Sequence, residues 1–422
     1  MSVTQEYARD KAADTMDQAQ KACSSIKRII ETIGPRAPGS PEELKAQEFI
    51  QKEIRPYCSS TEIEPFIVHR QAFMGFIPFT VAMGVIAVFL YFFDYQIASF
   101  ILCILGLIPL VLEFVMYKQF IDPLFPGHES HNLICRKAPK GEIKRRIVFV
   151  GHADSQYEWT LNYLLGGNGM KAVLIPAVVG LIVLTVASLI KMIVFDIAGV
   201  VSHGADLFFT IVGIIQFAFV PFFLLFLLFQ NPFKSVPGAN DNLTGCYVAT
   251  GVIKALADAG IEFENTEVVA ICSGSEEAGL RGAKDYAKKH KQEMLDVDTI
   301  VIAVDTFRDL SDLAIYDRDL SGTLKHDSEV RKLVRRAGEN CGLELEYSSV
   351  YIGASDAAAF TKEGIRATGF AAMDPTPPRY YHTRLDNWDD MNPEAIKVGL
   401  DVMVETACLF DREEGVPRSK SK

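Results

Sequence analysis

Basic residues are in deficit in this chain. Lys and Arg number 42 against 53 Asp and Glu, a formal charge of −11 over 422 residues. Phosphate binding needs a basic face, and no Lys/Arg-rich run supplies one, so a nucleic-acid partner is not expected. The eight cysteines are scattered and none stands in C-x-x-C spacing. A thiolate metal site is therefore not expected, and nothing demands an oxidising compartment. The segment Met1–Asp10 is polar and lacks the apolar core of an export signal, so these residues are expected to stay in the cytoplasm. H-E-x-x-H, G-x-x-x-x-G-K-[ST] and a G-x-S-x-G nucleophile elbow are all missing, which leaves those zinc, phosphate-loop and serine chemistries without a carrier.

Apolar residues are plentiful, at 49% of the chain, and concentrated in four blocks: Ala72–Phe93, Tyr95–Tyr117, Ala172–Phe195 and Leu207–Phe229. Each is about the ~20 residues needed to cross a bilayer. Glu113 and Lys191 stand near the ends of their blocks and are expected to snorkel to the interface. No charged pair falls at mid-span, which argues against a transporter. Four spans return the chain to its starting side, where His69, Arg70, Lys118, Lys171 and Lys234 flank the blocks. The opposite connections hold Asp94 in one and Asp196, His203 and Asp206 in the other. Positive residues favour the inner side, so a multi-pass membrane protein with its globular part in the cytoplasm is expected. The corresponding division is a catalytic domain in three pieces, 1–71, 118–170 and 231–422, interrupted by transmembrane hairpins at 72–117 and 171–230.

The globular remainder alternates strands and helices. Helices are expected at Asp10–Ile33, Ser40–Ile54, Asn242–Ala259, Gly279–Glu293, Ser328–Cys341 and Pro393–Phe410. Strands are expected at Thr61–Val68, Ile147–Gly151, Glu267–Cys272, Ile300–Asp305 and Ala367–Met373. His131–Arg136 is expected to pair with Ile147–Gly151 through a Pro139-Lys140-Gly141 hairpin. Such alternation predicts an α/β fold with a largely parallel sheet covered by helices. Sites in such folds form beyond the carboxyl ends of the strands.

Acids and histidines gather at those ends. His152 and Asp154 close the run Ile147–Gly151, and Asp154 can hydrogen-bond the second nitrogen of a metal-bound imidazole. Asp241 lies in the Gly/Pro/Asn-rich loop Pro237–Asn242, either as a helix cap or as a carboxylate bridging two cations. Glu276 and Glu277 follow a buried strand; adjacent acids there repel unless a cation neutralises them. Asp305 ends another apolar run, and His382 follows Tyr381 in a loop after Pro375, Pro377 and Pro378. Together these are the inventory of a two-cation hydrolytic site.

In order, Gly151-His152-Ala153-Asp154, Gly238-Ala239-Asn240-Asp241-Asn242, Ser275-Glu276-Glu277-Ala278-Gly279, Val304-Asp305 and Tyr381-His382-Thr383 resemble zinc metallopeptidase family twenty-eight, the aminopeptidase Y family. Pro35–Ser40 looks like the family's amino-terminal signature. The resemblance implies a phosphorylase/hydrolase-like three-layer αβα sandwich with a mixed, mainly parallel sheet, here with four inserted transmembrane helices. It implies two zinc ions, one on His152 and Asp305 and the other on Glu277 and His382, with Asp241 bridging. Glu276 is the implied general base and Tyr381 the implied oxyanion donor, and a cis peptide is implied between Asp241 and Asn242. The implied activity is removal of amino-terminal residues from peptides. Glutaminyl cyclases and carboxypeptidases use much the same ligands and stay open as alternatives, as does a non-catalytic peptide binder. Manganese or cobalt also suits such nitrogen and oxygen ligands. Relatives often carry a bulkier residue at the place of Ala357, so the pocket wall is expected to differ.

Overall fold

The computed structural model describes residues 3–200, 202–350, 353–374 and 377–417, with side chains from residue 15 onward; Pro375 and the tail after Pro417 lie outside them. The chain divides into two compact units. The first takes in Met1–Arg70, Gly127–Tyr157 and Lys234–Lys422, and the second Gln71–Pro126 and Glu158–Phe233.

The first unit is built on a nine-stranded sheet: β1 (Ser60–Val68), β2 (His128–Lys137), β3 (Arg145–His152), β4 (Thr266–Ser273), β5 (Asp298–Phe307), β6 (Leu313–Asp319), β7 (Leu324–Lys325), β8 (Glu346–Ser349) and β9 (Arg366–Ala372). The strands lie in the order β1-β2-β4-β3-β5-β9-β6-β7, with β8 beside β6. At the centre, β4, β3, β5 and β9 are all parallel. Antiparallel pairs flank them, β1 with β2 and β2 with β4 on one side, β9 with β6 on the other. The central strands read as continuous apolar runs because they are buried throughout, as in Ile147–Val150 and Val268–Cys272. Helices Gly245–Asp258, Arg281–Lys289, Ser328–Asn340, Asp356–Lys362 and Pro393–Arg412 flank the sheet. The two leading helices, Val3–Thr32 and Pro41–Ile54, add Ile26, Ile29 and Ile50 to its core. This is the predicted α/β sandwich.

One predicted pairing is overturned. β2 does not join β3 in a hairpin but lies between β1 and β4. The reason lies in the connection after β2. Lys140, Gly141, Lys144 and Arg145 donate their backbone N–H groups to Phe263, Glu264 and Asn265, the residues leading into β4, so the turn is closed by a third segment. The strand ends are unaffected in their grouping. Leu133 of β2 faces Cys272, and His152 faces Ser273, at the carboxyl end of β4.

Gly151 marks where β3 meets the helix Gly245–Asp258. A Cβ there would fall 2.5 Å from the backbone carbon of Gly245 and 2.6 Å from the nitrogen of Cys246. Real Cβ atoms do not approach backbone so closely, so the helix sits on β3 only because residue 151 has no side chain.

The second unit is helical. Four helices, Ala72–Phe92, Gln96–Val115, Thr160–Ile197 and His203–Phe226, are long and apolar enough to cross a membrane. Its polar side chains point inward. Ser99 Oγ donates to the Ala87 carbonyl at 2.8 Å and lies 2.9 Å from Ser188 Oγ, while Thr80 Oγ1 donates to the Gly106 carbonyl at 2.8 Å. Many of its apolar side chains are exposed, among them Phe79, Ile86, Ile101, Val179 and Ile211, while others such as Val88, Leu184 and Phe223 pack inside. Glu113 and Lys191 do not snorkel as predicted, because each has a buried task. Glu113 Oε1 accepts the N–H groups of Phe120 and Ile121 at 2.5 and 2.7 Å. Lys191 Nζ donates to the Tyr91 carbonyl at 2.9 Å and to Asp94 Oδ1 at 2.6 Å, satisfying the end of the first long helix.

Gly151→Ala is expected to destabilise the first unit by about 1–3 kcal/mol through overpacking, measured by calorimetric unfolding of the purified chain. An unchanged unfolding temperature would contradict the close approach of β3 to this helix.

Candidate metal centre

Five loops beyond the carboxyl ends of the central strands bring the predicted residues together. His152 ends β3, Glu276 and Glu277 follow β4, and Asp305 lies near the end of β5. Asp241 is in the turn Ala239–Thr244, which leads into the helix Gly245–Asp258. His382 comes in the loop after β9. Asp241 does not cap that helix; its carboxylate lies between the two histidines. Its Oδ1 is 3.2 Å from His152 Nε2, and its Oδ2 is 3.0 Å from His382 Nε2. Glu277 Oε1 is 3.3 Å from His382 Nε2, and Asp305 Oδ1 is 4.0 Å from His152 Nε2. Glu276 Oε2 is 4.0 Å from His152 Nε2. Tyr381 stacks on the His382 ring with centroids 3.7 Å apart.

The spacing suits cations better than hydrogen bonds. Two ligand atoms about 2.0–2.1 Å from a tetrahedral ion lie roughly 3.3 Å apart. Ligand atoms of His152, Asp241 and Glu277 all fall within 4.8 Å of one another and are buried. Asp241 Oδ2 and Glu277 Oε1 are buried and accept no hydrogen bond, although an imidazole nitrogen is close to each. Buried acceptors in that state are costly unless an ion takes them up. The donor set therefore fits divalent metal.

The surrounding electrostatics point the same way. Burial pushes Glu276 well above the usual carboxylate range, aided by the charges of Glu277, Asp356 and Asp305. Burial likewise raises Glu277 to about 7, Asp305 to about 6 and Asp356 to about 7. For His382 burial opposes the proton, but Glu277 and Asp241 outweigh it and raise the imidazole to about 9. His152 is likewise held well above its ordinary value; burial opposes protonation, and the carboxylates of Glu276, Asp154 and Asp241 overcome it. Asp241 is the exception. Burial favours its acid form, yet the two histidines hold it below the usual range.

The supports are mostly backbone N–H groups. Asp154 Oδ1 lies 3.4 Å from His152 Nδ1 without the predicted hydrogen bond, and Asp154 also reaches across to the next strand. Its two oxygens accept the N–H groups of Glu276 and Glu277 at 3.0 and 3.1 Å. The Asp241–Asn242 peptide is cis. Asn242 Nδ2 donates to the Val304 carbonyl, and its Oδ1 accepts the Gly245 and Thr306 N–H groups, tying this turn to the end of β5. Gly238 enters the turn with φ +62°, and a Cβ there would meet Ser155 at 2.6 Å. Ser275 and His382 also hold left-handed backbone, at φ 53° and 56°, a costly conformation that gathers at functional sites.

Four contributors went unrecognised in the sequence. Asp386 accepts the N–H groups of Asn240 and Asp241 at 2.8 and 3.0 Å. The Arg36 guanidinium, fully buried, donates to the carbonyls of Ala153, Pro237 and Gly238 and so joins the His152 loop to the Asp241 turn. Glu43 accepts the Gly39 N–H at 3.1 Å. It also accepts the Ser275 N–H at 2.6 Å and holds the Glu276 turn. Asp356, buried beside Ser273 Oγ at 2.6 Å, adds a further carboxylate near the centre. Two of them lie in runs that carried a signal, Arg36 in Pro35–Ser40 and Asp356 beside Ala357.

Comparison with known proteins gives the same reading. Residues 227–407 match peptidase family M28. No curated protein sequence matches the chain. Among solved structures, a zinc aminopeptidase from Bacillus subtilis is similar over 96% of this chain and 96% of its own, with a TM-score of 0.55 and 16% identity. A glutaminyl cyclase from an Acidobacteriales bacterium aligns over 94% of this chain and 95% of its own, with a TM-score of 0.53 and 14% identity. The LapA aminopeptidase of Legionella pneumophila aligns over 95% and 75%, with a TM-score of 0.52 and 11% identity. At these identities the likeness shows the shared fold, and residues 227–407 are similar to M28 peptidases.

The nearby carboxylates favour the protonated form of both imidazoles against the effect of burial, so loading the centre is expected to expel protons. Zinc affinity is expected to rise with pH up to about 9, the value for His382, and to weaken below it. Calorimetric titration in buffers of differing ionisation enthalpy is expected to show net proton release at neutral pH; zinc uptake without proton release would contradict the assignment.

Proposed function

We propose that this chain is a membrane-anchored di-zinc exopeptidase that removes amino-terminal residues from peptides. The observation that carries the proposal is the position of Asp241, with one oxygen toward His152 and the other toward His382. His152 and Asp305 would hold one ion, Glu277 and His382 the other, and Asp241 would serve both. The ions, when bound, would supply Lewis acidity and make a water acidic enough to be activated near neutral pH. Manganese or cobalt would suit the same atoms.

The remaining roles belong to side chains that hold no ion. Glu276, whose carboxyl is pushed up by burial, is the proton carrier: it takes a proton from the attacking water and returns it to the leaving amine. Tyr381, kept in its neutral phenol form by burial among carboxylates, donates its hydroxyl proton to the oxygen on which negative charge develops. Asp154 holds His152 and the Glu276-Glu277 backbone in register.

The anchoring rests on the helical unit's inverted distribution, polar inside and apolar outside, as lipid requires. Among the described residues of the first unit, only Ile67, Leu295, Tyr347 and Leu385 are exposed large apolar side chains. The basic flanks Lys118, Lys171 and Lys234 support a cytoplasmic peptidase domain. The fold likeness to glutaminyl cyclases favours one second reading, cyclisation of amino-terminal glutamine on the same ligands.

Glu276→Gln is expected to keep its metal yet lose at least about 100-fold in turnover of peptides with a free amino terminus. Near-normal turnover with metal content verified would remove Glu276 from the mechanism. Turnover confined to amino-terminal glutamine, with ammonia released, would replace the peptidase reading by the cyclase one.

A further inference from the structure

Gln156 lies just beyond the His152–Asp154 motif and is 2% exposed. Its side-chain amide is oriented by its own neighbour, since Oε1 accepts the Tyr157 N–H at 2.8 Å. Nε2 is turned to Glu277, donating to its Oε2 at 2.7 Å and at 3.4 Å to its carbonyl. The other oxygen of Glu277, Oε1, accepts no hydrogen bond and is the one beside His382 Nε2.

The segment bearing Gln156 is pinned on both sides. The Ser155 N–H donates to the Arg36 carbonyl at 2.8 Å, the Val236 N–H donates to the Gln156 carbonyl at 2.9 Å, and Tyr157 bridges to Ser235. Ser155 Oγ donates to the Val236 carbonyl at 2.8 Å. A buried amide held at its oxygen end constrains the carboxylate that its donor end meets. Turning Oε2 toward the cation site would break the 2.7 Å hydrogen bond that this buried amide makes to it.

We propose that Gln156 is a positioning residue that holds Glu277 so that Oε1 alone is offered to metal. The inference rests on the reading of this centre as a metal site and goes beyond it, because the M28 motifs assign no role to residue 156. A carboxylate restricted in this way presents one strong ligand atom and keeps a coordination position free for water or substrate. Such outer partners of metal ligands typically set affinity by about 10–100-fold.

The test uses full-length protein purified in detergent, stripped of metal and titrated with zinc against a chromophoric chelator, then separately with cobalt. Gln156→Ala frees Oε2. Gln156→Met does the same while filling the volume, so a collapse specific to the alanine variant is circumvented. In each, one zinc is expected to bind about 10–100-fold more weakly and the other as before. The visible cobalt absorption is expected to change as Glu277 gains freedom to use both oxygens, a signature that mere loosening of the fold does not produce. Two unchanged zinc affinities with an unchanged cobalt spectrum in both variants would overturn the proposal. An unaltered chain that takes up no zinc would instead overturn the metal-site reading, and this inference with it.

Discussion

Everything at this centre follows from burying many carboxylates around one aspartate. Asp154, Asp241, Glu276, Glu277, Asp356 and Asp386 are all buried, with two imidazoles and Arg36 as the nearby cationic groups. Removing carboxylates from water is expensive unless opposite charge or hydrogen bonds replace the lost hydration. The chain uses two remedies. Asp154 and Asp386 are aimed at backbone N–H groups, and those bonds define the loops. Asp241 and Glu277 are left with oxygens facing imidazoles and no hydrogen bond, a state that divalent cations would relieve.

That division explains why the supports matter as much as the ligands. The Arg36 guanidinium donates to carbonyls, so its charge remains to offset nearby Asp154, Asp386 and Asp241 while its three bonds join two loops. Glu43 secures the Ser275 turn from the opposite side. Asn242 links the Asp241 turn to the end of β5. The ligands come from distant parts of the chain, and this mesh of single hydrogen bonds places them within reach of one another. Within the helical unit the same accounting applies, with Lys191 and Glu113 satisfying backbone groups.

Much of this was legible in the chain itself. His152, Glu276 and Asp305 stand at or just beyond the ends of apolar runs, and parallel sheets place such residues together. The apolar blocks announced the long helices by length alone. What could not be read depends on contacts between segments far apart in sequence. The partner of β2 was decided by Phe263–Asn265, which close the turn after it. β6 to β8 are short, irregular and partly exposed, so their periodicity is weak. Asp386, Arg36 and Gln156 act through hydrogen bonds to segments far away in sequence, and no spacing rule records those. Lys191 looked like a residue reaching for an interface because its partners, Tyr91 and Asp94, lie in another helix hairpin.

The central claim is that two divalent ions sit on either side of Asp241. Diffraction from crystals of the zinc-loaded chain, recorded above and below the zinc absorption edge, tests it most directly. The account predicts two anomalous peaks roughly 3.5–4 Å apart, one beside His152 and Asp305 and the other beside Glu277 and His382, with Asp241 between them. A single peak, or peaks away from Asp241, would contradict it.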